Sequence, residues 1–271
     1  MPELPEVETT VRGLEPVLQG ERVARVTTRR EGLRYPFPPD LGQRLVGARV
    51  TGLGRRAKYG LIDTDRGDTV VFHLGMSGRW RVDPDELGAH DHLVIETAGG
   101  RTLALNDPRR FGFVHLHPTA ELDAYPPFAA MGPEPLGDGL TPGHLAAAFE
   151  GRAAPVKTLL LDQRVVAGLG NIYVCEALHM ARIAPNRAGG RIALFRLERL
   201  VEAIRQVLEA AIAAGGSSIR DYARPDGELG YFSKQWRVYG REGDPCGCGA
   251  TVRRRAEGGR STFWCPACQR G

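Results

Sequence analysis

Apolar positions recur at helical spacing at the start of the chain and at strand spacing after it. Val7, Val11, Leu14 and Leu18 follow one another at intervals of four, three and four, which puts them on one stripe of a helix. Pro5 falls in the first turn, where a missing N–H does no harm, and Glu6 and Glu8 face the positive end of the helix dipole. The helix is expected to open at Leu4 and end near Gly20. From there to about Pro118 the pattern becomes short β-branched runs, at 23–28, 48–53, 58–63, 69–74, 92–97, 101–105 and 113–117. Turn signals separate several of them, notably Asp63-Thr64-Asp65-Arg66-Gly67-Asp68 and Ala98-Gly99-Gly100. About seven short strands joined by hairpin turns predict a β-sandwich.

Residues 131–139 are dense in Pro and Gly with little to pack with, which predicts an interdomain linker and a hinge. Helical periodicity follows at 142–150, 156–161, 171–182 and about 193–214, stopping at Gly215-Gly216. The polar stretch from there to Gly230 reads as an exposed loop. The fold class is α+β in two lobes, with no internal repeat and no low-complexity tract.

Cys246-x-Cys248 and Cys265-x-x-Cys268 are separated by sixteen residues that read as two strands, 251–255 and 260–264, around a Gly258-Gly259 turn. A hairpin hung from four thiolates is the arrangement of a closed structural zinc site, with Cys246, Cys248, Cys265 and Cys268 as ligands. One structural Zn2+ is therefore expected, and because so small a segment has little core, the metal would supply much of its folding energy. Free or redox-active thiols are the alternative. The one-residue spacing of the first pair is tight, and Gly247 and Gly249 are placed to relieve it. Cys175, on an apolar helix face, reads as a small buried hydrophobe.

Composition narrows the class. At 271 residues, 42% hydrophobic and 25% charged, the chain has a globular balance, which excludes disordered, collagen-like and fibrous sequence. It carries no run of eighteen apolar residues that would span a bilayer. The first residues, Met1-Pro2-Glu3-Leu4-Pro5-Glu6, lack the basic and apolar regions of a secretory signal, so a cytosolic protein is expected. From Arg237 onward there are seven arginines and three acids, so the net charge of +4 resides in that tail. Only Lys58, Lys157 and Lys234 are lysines. Arginine grips phosphate and base edges better than an ammonium does, although GC-rich coding alone gives the same bias.

Arg260 sits just past the hairpin turn, opposite Arg253, Arg254 and Arg255, a fingertip suited to phosphate or simply a solvated basic hairpin. Gly168 and Gly170 allow a tight turn into the helix that starts at Asn171, leaving free amides that could meet a phosphate. Gly75-Met76-Ser77-Gly78 and Asp107-Pro108-Arg109-Arg110-Phe111-Gly112 each set a large apolar residue in a glycine-flanked loop. Apolar wedges beside arginine unstack a duplex around an extruded base, while taken singly Met76 and Phe111 are more often core residues. At the other end of the chain, trimming of Met1 would leave Pro2 a secondary amine beside Glu3, with Glu6 one turn away. Such an amine has a pKa near neutrality, and its attack on a sugar C1′ gives an iminium that is cationic without needing a proton. Two prolines that only stiffen the helix entry are the bland alternative.

Together these motifs resemble the bacterial formamidopyrimidine-DNA glycosylase family, in Pro2-Glu3-Leu4-Pro5-Glu6-Val7-Glu8, Arg55-Arg56-Ala57-Lys58-Tyr59, His73-Leu74-Gly75-Met76-Ser77-Gly78, Asp107 to Gly112, Gly170-Asn171-Ile172-Tyr173 and the cysteine finger. The resemblance implies a β-sandwich led by the catalytic helix (1–130), a linker (131–141), a helix–two-turns–helix domain (142–236) and a zinc finger (237–271), with duplex DNA between the lobes. It implies a monomeric enzyme that excises 8-oxoguanine and formamidopyrimidines and then cleaves the abasic site. By that likeness Pro2 is the nucleophile, Glu3 protonates the sugar, Glu6 holds the helix, and Lys58 and Arg260 donate protons in β- and δ-elimination. His90, Arg109, Arg152 and Asn171 would hold the DNA backbone, and Met76, Arg109 and Phe111 would fill the gap, with Arg109 facing the orphaned cytosine. The loop 217–231 would close over the everted base.

Two features depart from the family pattern: one residue rather than two inside the first cysteine pair, and Arg152 where lysine is common. Alternatives are an oxidised-pyrimidine preference like that of endonuclease VIII, against which Leu4, Met76 and Phe111 speak, and a non-catalytic DNA-binding module. The carboxylates of Glu3 and Glu6 speak against the latter, since a pure binder gains nothing from acids near phosphate.

Overall fold

In the computed structural model, which describes residues 2–217, 225, 227 and 230–270, the first helix runs Leu4–Leu18 (α1). Val7, Val11, Leu14 and Leu18 lie buried along it as the stripe predicts. The strands and helices that follow are β1 (Val23–Thr28), α2 (Leu41–Leu45), β2 (Val50–Arg56), β3 (Tyr59–Thr64), β4 (Asp68–His73), β5 (Arg79–Val82), β6 (Asp91–Thr97), β7 (Thr102–Asn106), β8 (Phe113–Pro118) and α3 (Pro126–Ala129). Next come α4 (Pro142–Phe149), α5 (Val156–Leu161), α6 (Asn171–Met180), α7 (Leu194–Ala213), β9 (Arg253–Glu257) and β10 (Arg260–Trp264). No helix of the described residues is long and apolar enough to cross a membrane.

The chain divides into two compact units, Met1–Ala129 with Ile212–Ser233, and Ala130–Ala211 with Lys234–Gly271. In the first, two four-stranded antiparallel sheets, ordered β1-β6-β7-β5 and β2-β3-β4-β8, share one core with α1. Strand β5 was not expected from the pattern. It is four residues long and only Trp80 is buried on it, too little alternation to separate it from the preceding loop.

Register decides where the loops go. Tyr59 pairs with His73, and His73 with Phe113, so the β2–β3 turn, the loop after β4 and the loop before β8 emerge at one end of the second sheet. In the first sheet Asn106 pairs with both Arg79 and Asp91, which brings the same two loops and His90 to one end there as well.

In the second unit α6 packs against α5 and the β9–β10 hairpin. The segment expected to have little to pack with is held firmly there: Gly132 N donates to Gln163 O (2.9 Å), Ala167 N to Pro133 O (3.1 Å), and Pro135 is buried. A Cβ on Gly132 would lie 2.6 Å from two carbonyl oxygens, so the glycine there serves a close backbone approach. Most of the proposed capping loop, 217–231, lies outside the described residues.

Candidate active site and nucleic-acid interface

The head of α1 is the first cluster. Pro2 is buried, and Glu3 and Glu6 are 3% and 1% exposed. The two acids form a reciprocal capping box, with Glu3 N donating to Glu6 Oε2 at 2.8 Å. The other oxygen, Oε1, accepts from Ser217 N at 2.8 Å. Glu6 thus ties the first turn of the helix to the start of the 217–231 segment, a contact 211 residues away in sequence that no local pattern shows.

Lys58 occupies the two-residue turn between β2 and β3 and is almost completely buried. Its neighbour Ala57 takes φ +53°, a left-handed conformation costly for any residue with a Cβ. Arg55 holds that turn in place: its Nη1 donates to Ala57 O (2.8 Å) and its Nε to Glu8 Oε2 (3.0 Å) in the first turns of α1. Burial raises the Glu8 carboxyl, but hydrogen bonds and charge from Arg12 and Arg55 outweigh it and hold the group below the usual range. The strained turn carrying Lys58 is therefore pinned to α1 by an ion pair.

His73, opposite Tyr59 in the register, stacks on Phe113 with ring centres 5.4 Å apart and accepts from Gly75 N at Nδ1 (3.0 Å). Burial first, then the charges of Lys58 and Arg34, press its pKa down to about 4. The unfolded chain takes up this proton near pH 6.5 and the folded one near 4, so stability rises with pH between those values and is lost on acidification through them. The full window corresponds to roughly 3 kcal/mol. His73→Asn keeps an acceptor for the Gly75 amide but does not titrate. Urea midpoints measured from pH 7 to 4.5 are expected to fall less steeply in that variant than in the native chain, and parallel slopes would refute the assignment.

One buried acid organises the two loops that carry Met76 and Phe111. Asp107, with no exposed surface, accepts from Ser77 Oγ (2.6 Å) at Oδ1 and from Gly112 N (2.8 Å) at Oδ2. Ser77 Oγ in turn accepts from Arg109 N (3.2 Å), and Asp107 N donates to His90 O (3.0 Å). The loop backbones touch: Gly75 has φ +61°, and a Cβ there would meet the Phe111 carbonyl carbon at 2.3 Å. On this base Phe111 stands 48% exposed with the Arg109 guanidinium 4.9 Å from its ring centre, Met76 is half-buried, and His90 is exposed. An exposed aromatic next to a cation on a rigid base is suited to stacking against bases.

In the second unit the hairpin is braced from behind. Asn171 Nδ2 (2.9 Å) and Lys157 Nζ (3.3 Å) both donate to Ser261 O, and Lys157 Nζ also donates to Thr262 Oγ1 (2.7 Å). These contacts fix the residue after Arg260, whose exposed guanidinium makes no hydrogen bond or ion pair with another described residue. Arg254 and Arg255 are instead engaged within the hairpin by Ser261 and Glu257. Arg152 is exposed. Lys157 was missed by the sequence reading, although a lysine inside an apolar helical run was the available signal.

The four cysteines converge, all Sγ atoms lying within 4.8 Å of one another. Cys246 and Cys268 are 3.9 Å apart and Cys248 and Cys265 3.5 Å. Tetrahedral sulfurs on bonds of about 2.3 Å stand about 3.8 Å apart, so the cluster fits a metal ion. Gly249, at φ +85°, makes the sharp turn after the shortened pair.

Residues 1–114 match the formamidopyrimidine-DNA glycosylase N-terminal domain and residues 131–223 the H2TH domain of the same enzymes. A formamidopyrimidine-DNA glycosylase of Rhizorhabdus wittichii is 72% identical over 270 residues, covering all of both chains. Among solved structures, the MutM (Fpg) protein of Thermus thermophilus superposes with a TM-score of 0.89 at 39% identity, over 99% of this chain and 98% of that one. Lactococcus lactis Fpg, in complex with DNA containing an abasic site, superposes with a TM-score of 0.92 at 32% identity over all of both chains. Agreement of this extent, in sequence and in fold together, settles the kinship: the chain belongs to the formamidopyrimidine-DNA glycosylase family.

Proposed function

We propose that this protein excises oxidised purines, 8-oxoguanine and formamidopyrimidines, from duplex DNA and cleaves the resulting abasic site, with the Pro2 nitrogen as nucleophile. The observation that carries the reading is the buried Pro2, Glu3 and Glu6 at the head of α1. Carboxylates secluded from water beside an amine serve covalent proton-transfer chemistry and do nothing for phosphate binding.

With Met1 removed, the Pro2 lone pair attacks C1′, and the C1′–N bond breaks with its electrons leaving on the base, which takes up the proton that the Pro2 nitrogen sheds. Glu3 delivers a proton to the ring oxygen as the sugar opens, giving a C1′ iminium on Pro2. Loss of the C2′ proton into that electron sink expels the 3′ phosphate, and a second elimination expels the 5′ phosphate, leaving a one-nucleotide gap. Lys58 and Arg260 carry protons in these two steps. His90, Arg109, Arg152 and Asn171 hold the backbone, and Met76, Arg109 and Phe111 fill the vacated stack.

Cys246, Cys248, Cys265 and Cys268 would hold one Zn2+, which would supply structure rather than chemistry because four thiolates leave no open position. The apolar cluster around it is small, so metal binding contributes much of the local stability.

Borohydride added to the protein and a duplex with 8-oxoguanine opposite cytosine is expected to trap one covalent adduct per chain, and the same reaction without borohydride is expected to give strand products phosphorylated at both ends of the gap. Absence of an adduct, or adduct formed only on thymine glycol, would sink the proposal.

A further inference from the structure

We propose that His179 is a positioning residue of the metal site, holding the Cys246 thiolate through an Nε2–H···Sγ hydrogen bond. This rests on the zinc reading above. His179 lies in the last turn of α6, and its Nε2 is 3.3 Å from Cys246 Sγ. Its Nδ1 is buried with no hydrogen-bond partner among the described residues. Buried polar groups without partners cost free energy and are rare, so the sulfur is the polar contact that holds this ring. A proton is available at Nε2 in the imidazolium and in one neutral tautomer alike.

The ring is an outer partner and not a fifth ligand, because the four sulfurs already gather within 4.8 Å of one another and four thiolates complete a closed site. Four thiolates around Zn2+ leave a net charge of −2 that must be met from outside. The surroundings answer it: Arg182, Arg237 and Arg241 line the same open depression of about 640 Å3 as His179, Cys246 and Cys248. Within the second cysteine pair, Cys268 N lies 3.4 Å from Cys265 Sγ and donates to it. In the first pair, shortened to one intervening residue, a side chain from α6 reaches in to Cys246. An N–H directed at a coordinating thiolate draws off charge and fixes the sulfur's direction, and losing such a partner weakens metal binding tenfold or more.

The test uses the full chain carrying one zinc. Release to a chromophoric chelator is expected to be about tenfold faster in His179→Ala. His179→Gln, whose amide also presents an N–H, is expected to return within about threefold of the native rate. In the cobalt-substituted proteins, the Ala variant keeps the four-sulfur d–d envelope while its sulfur-to-metal charge-transfer band shifts, a change that loss of packing alone does not produce. Equal release rates with an unmoved band overturn the role of His179. A native d–d spectrum of three sulfurs and one nitrogen overturns it in the other direction, making the ring a ligand. A native chain without stoichiometric zinc overturns the metal reading itself, and is told apart by metal analysis before any variant is made.

Discussion

Pro2→Gly is expected to lower the rate of borohydride-trapped adduct formation on 8-oxoguanine duplex by about a hundredfold or more, equivalent to about 3 kcal/mol of barrier. Two losses combine. Glycine offers a primary amine, whose imine must gain a proton before it withdraws electrons, whereas a proline iminium carries its charge permanently. Glycine also frees the backbone that the pyrrolidine ring fixes, just ahead of the Glu3–Glu6 cap, so the nucleophile loses its orientation. Affinity for a duplex with a non-cleavable abasic analogue is expected to stay within about threefold, because the variant leaves the wedge loops and the hairpin untouched. Trapping at the native rate, or native mass showing Met1 retained in fully active protein, would remove Pro2 from the chemistry.

The parts of this site that sequence exposes are the ones with unusual local chemistry. Proline beside acids at a helix start, a large apolar residue between glycines, and four cysteines in pairs each contradict what a bland element would contain. The strands were legible because short β-branched runs stand between turn residues, as in 23–28 with Val23, Val26, Thr27 and Thr28, which β1 reproduces from Val23 to Thr28. What local pattern could not show is how the loops are held. Asp107 reads as an ordinary Asp-Pro turn, yet it is the buried acceptor that joins the loops of Met76 and Phe111. Glu6 reads as a helix cap, and its second oxygen serves Ser217 far along the chain. The 131–139 segment misled because Pro and Gly content reports backbone freedom, not whether amides such as that of Gly132 find a partner. Buried charges on apolar helices were the unused clue: Lys157 and Glu176 both interrupt otherwise hydrophobic runs.

Glu176 leads to the second large effect. Its side chain, 1% exposed on α6, accepts from three consecutive backbone amides, Arg237 N (2.9 Å) at one oxygen, and Val238 N (2.9 Å) and Tyr239 N (2.8 Å) at the other. That cradle fixes the chain where it enters the cysteine hairpin, with Val238 in the same small apolar cluster as Cys246 and Cys265. Glu176→Ala leaves three donors without a partner, at about 1–3 kcal/mol each, so a loss of roughly 4 kcal/mol or more is expected for the second unit. Since the cluster is small, the variant is expected to release zinc readily and to bind lesion duplex at least tenfold more weakly. Glu176→Gln retains one acceptor oxygen and should fall between the two. The readouts are urea unfolding followed by Trp236 fluorescence, zinc release, and anisotropy of a labelled duplex. Strands of the first unit carry none of these contacts, so Trp80, buried in its core, reports an unchanged transition once it is resolved from Trp236 and Trp264 by replacement of those two. A native midpoint in Glu176→Ala would mean that the three amides find other acceptors. The anchoring of the finger would then have to come from its other contacts, those of Ser261 with Asn171 and Lys157 and of Gln269 with the Ile183 carbonyl among them.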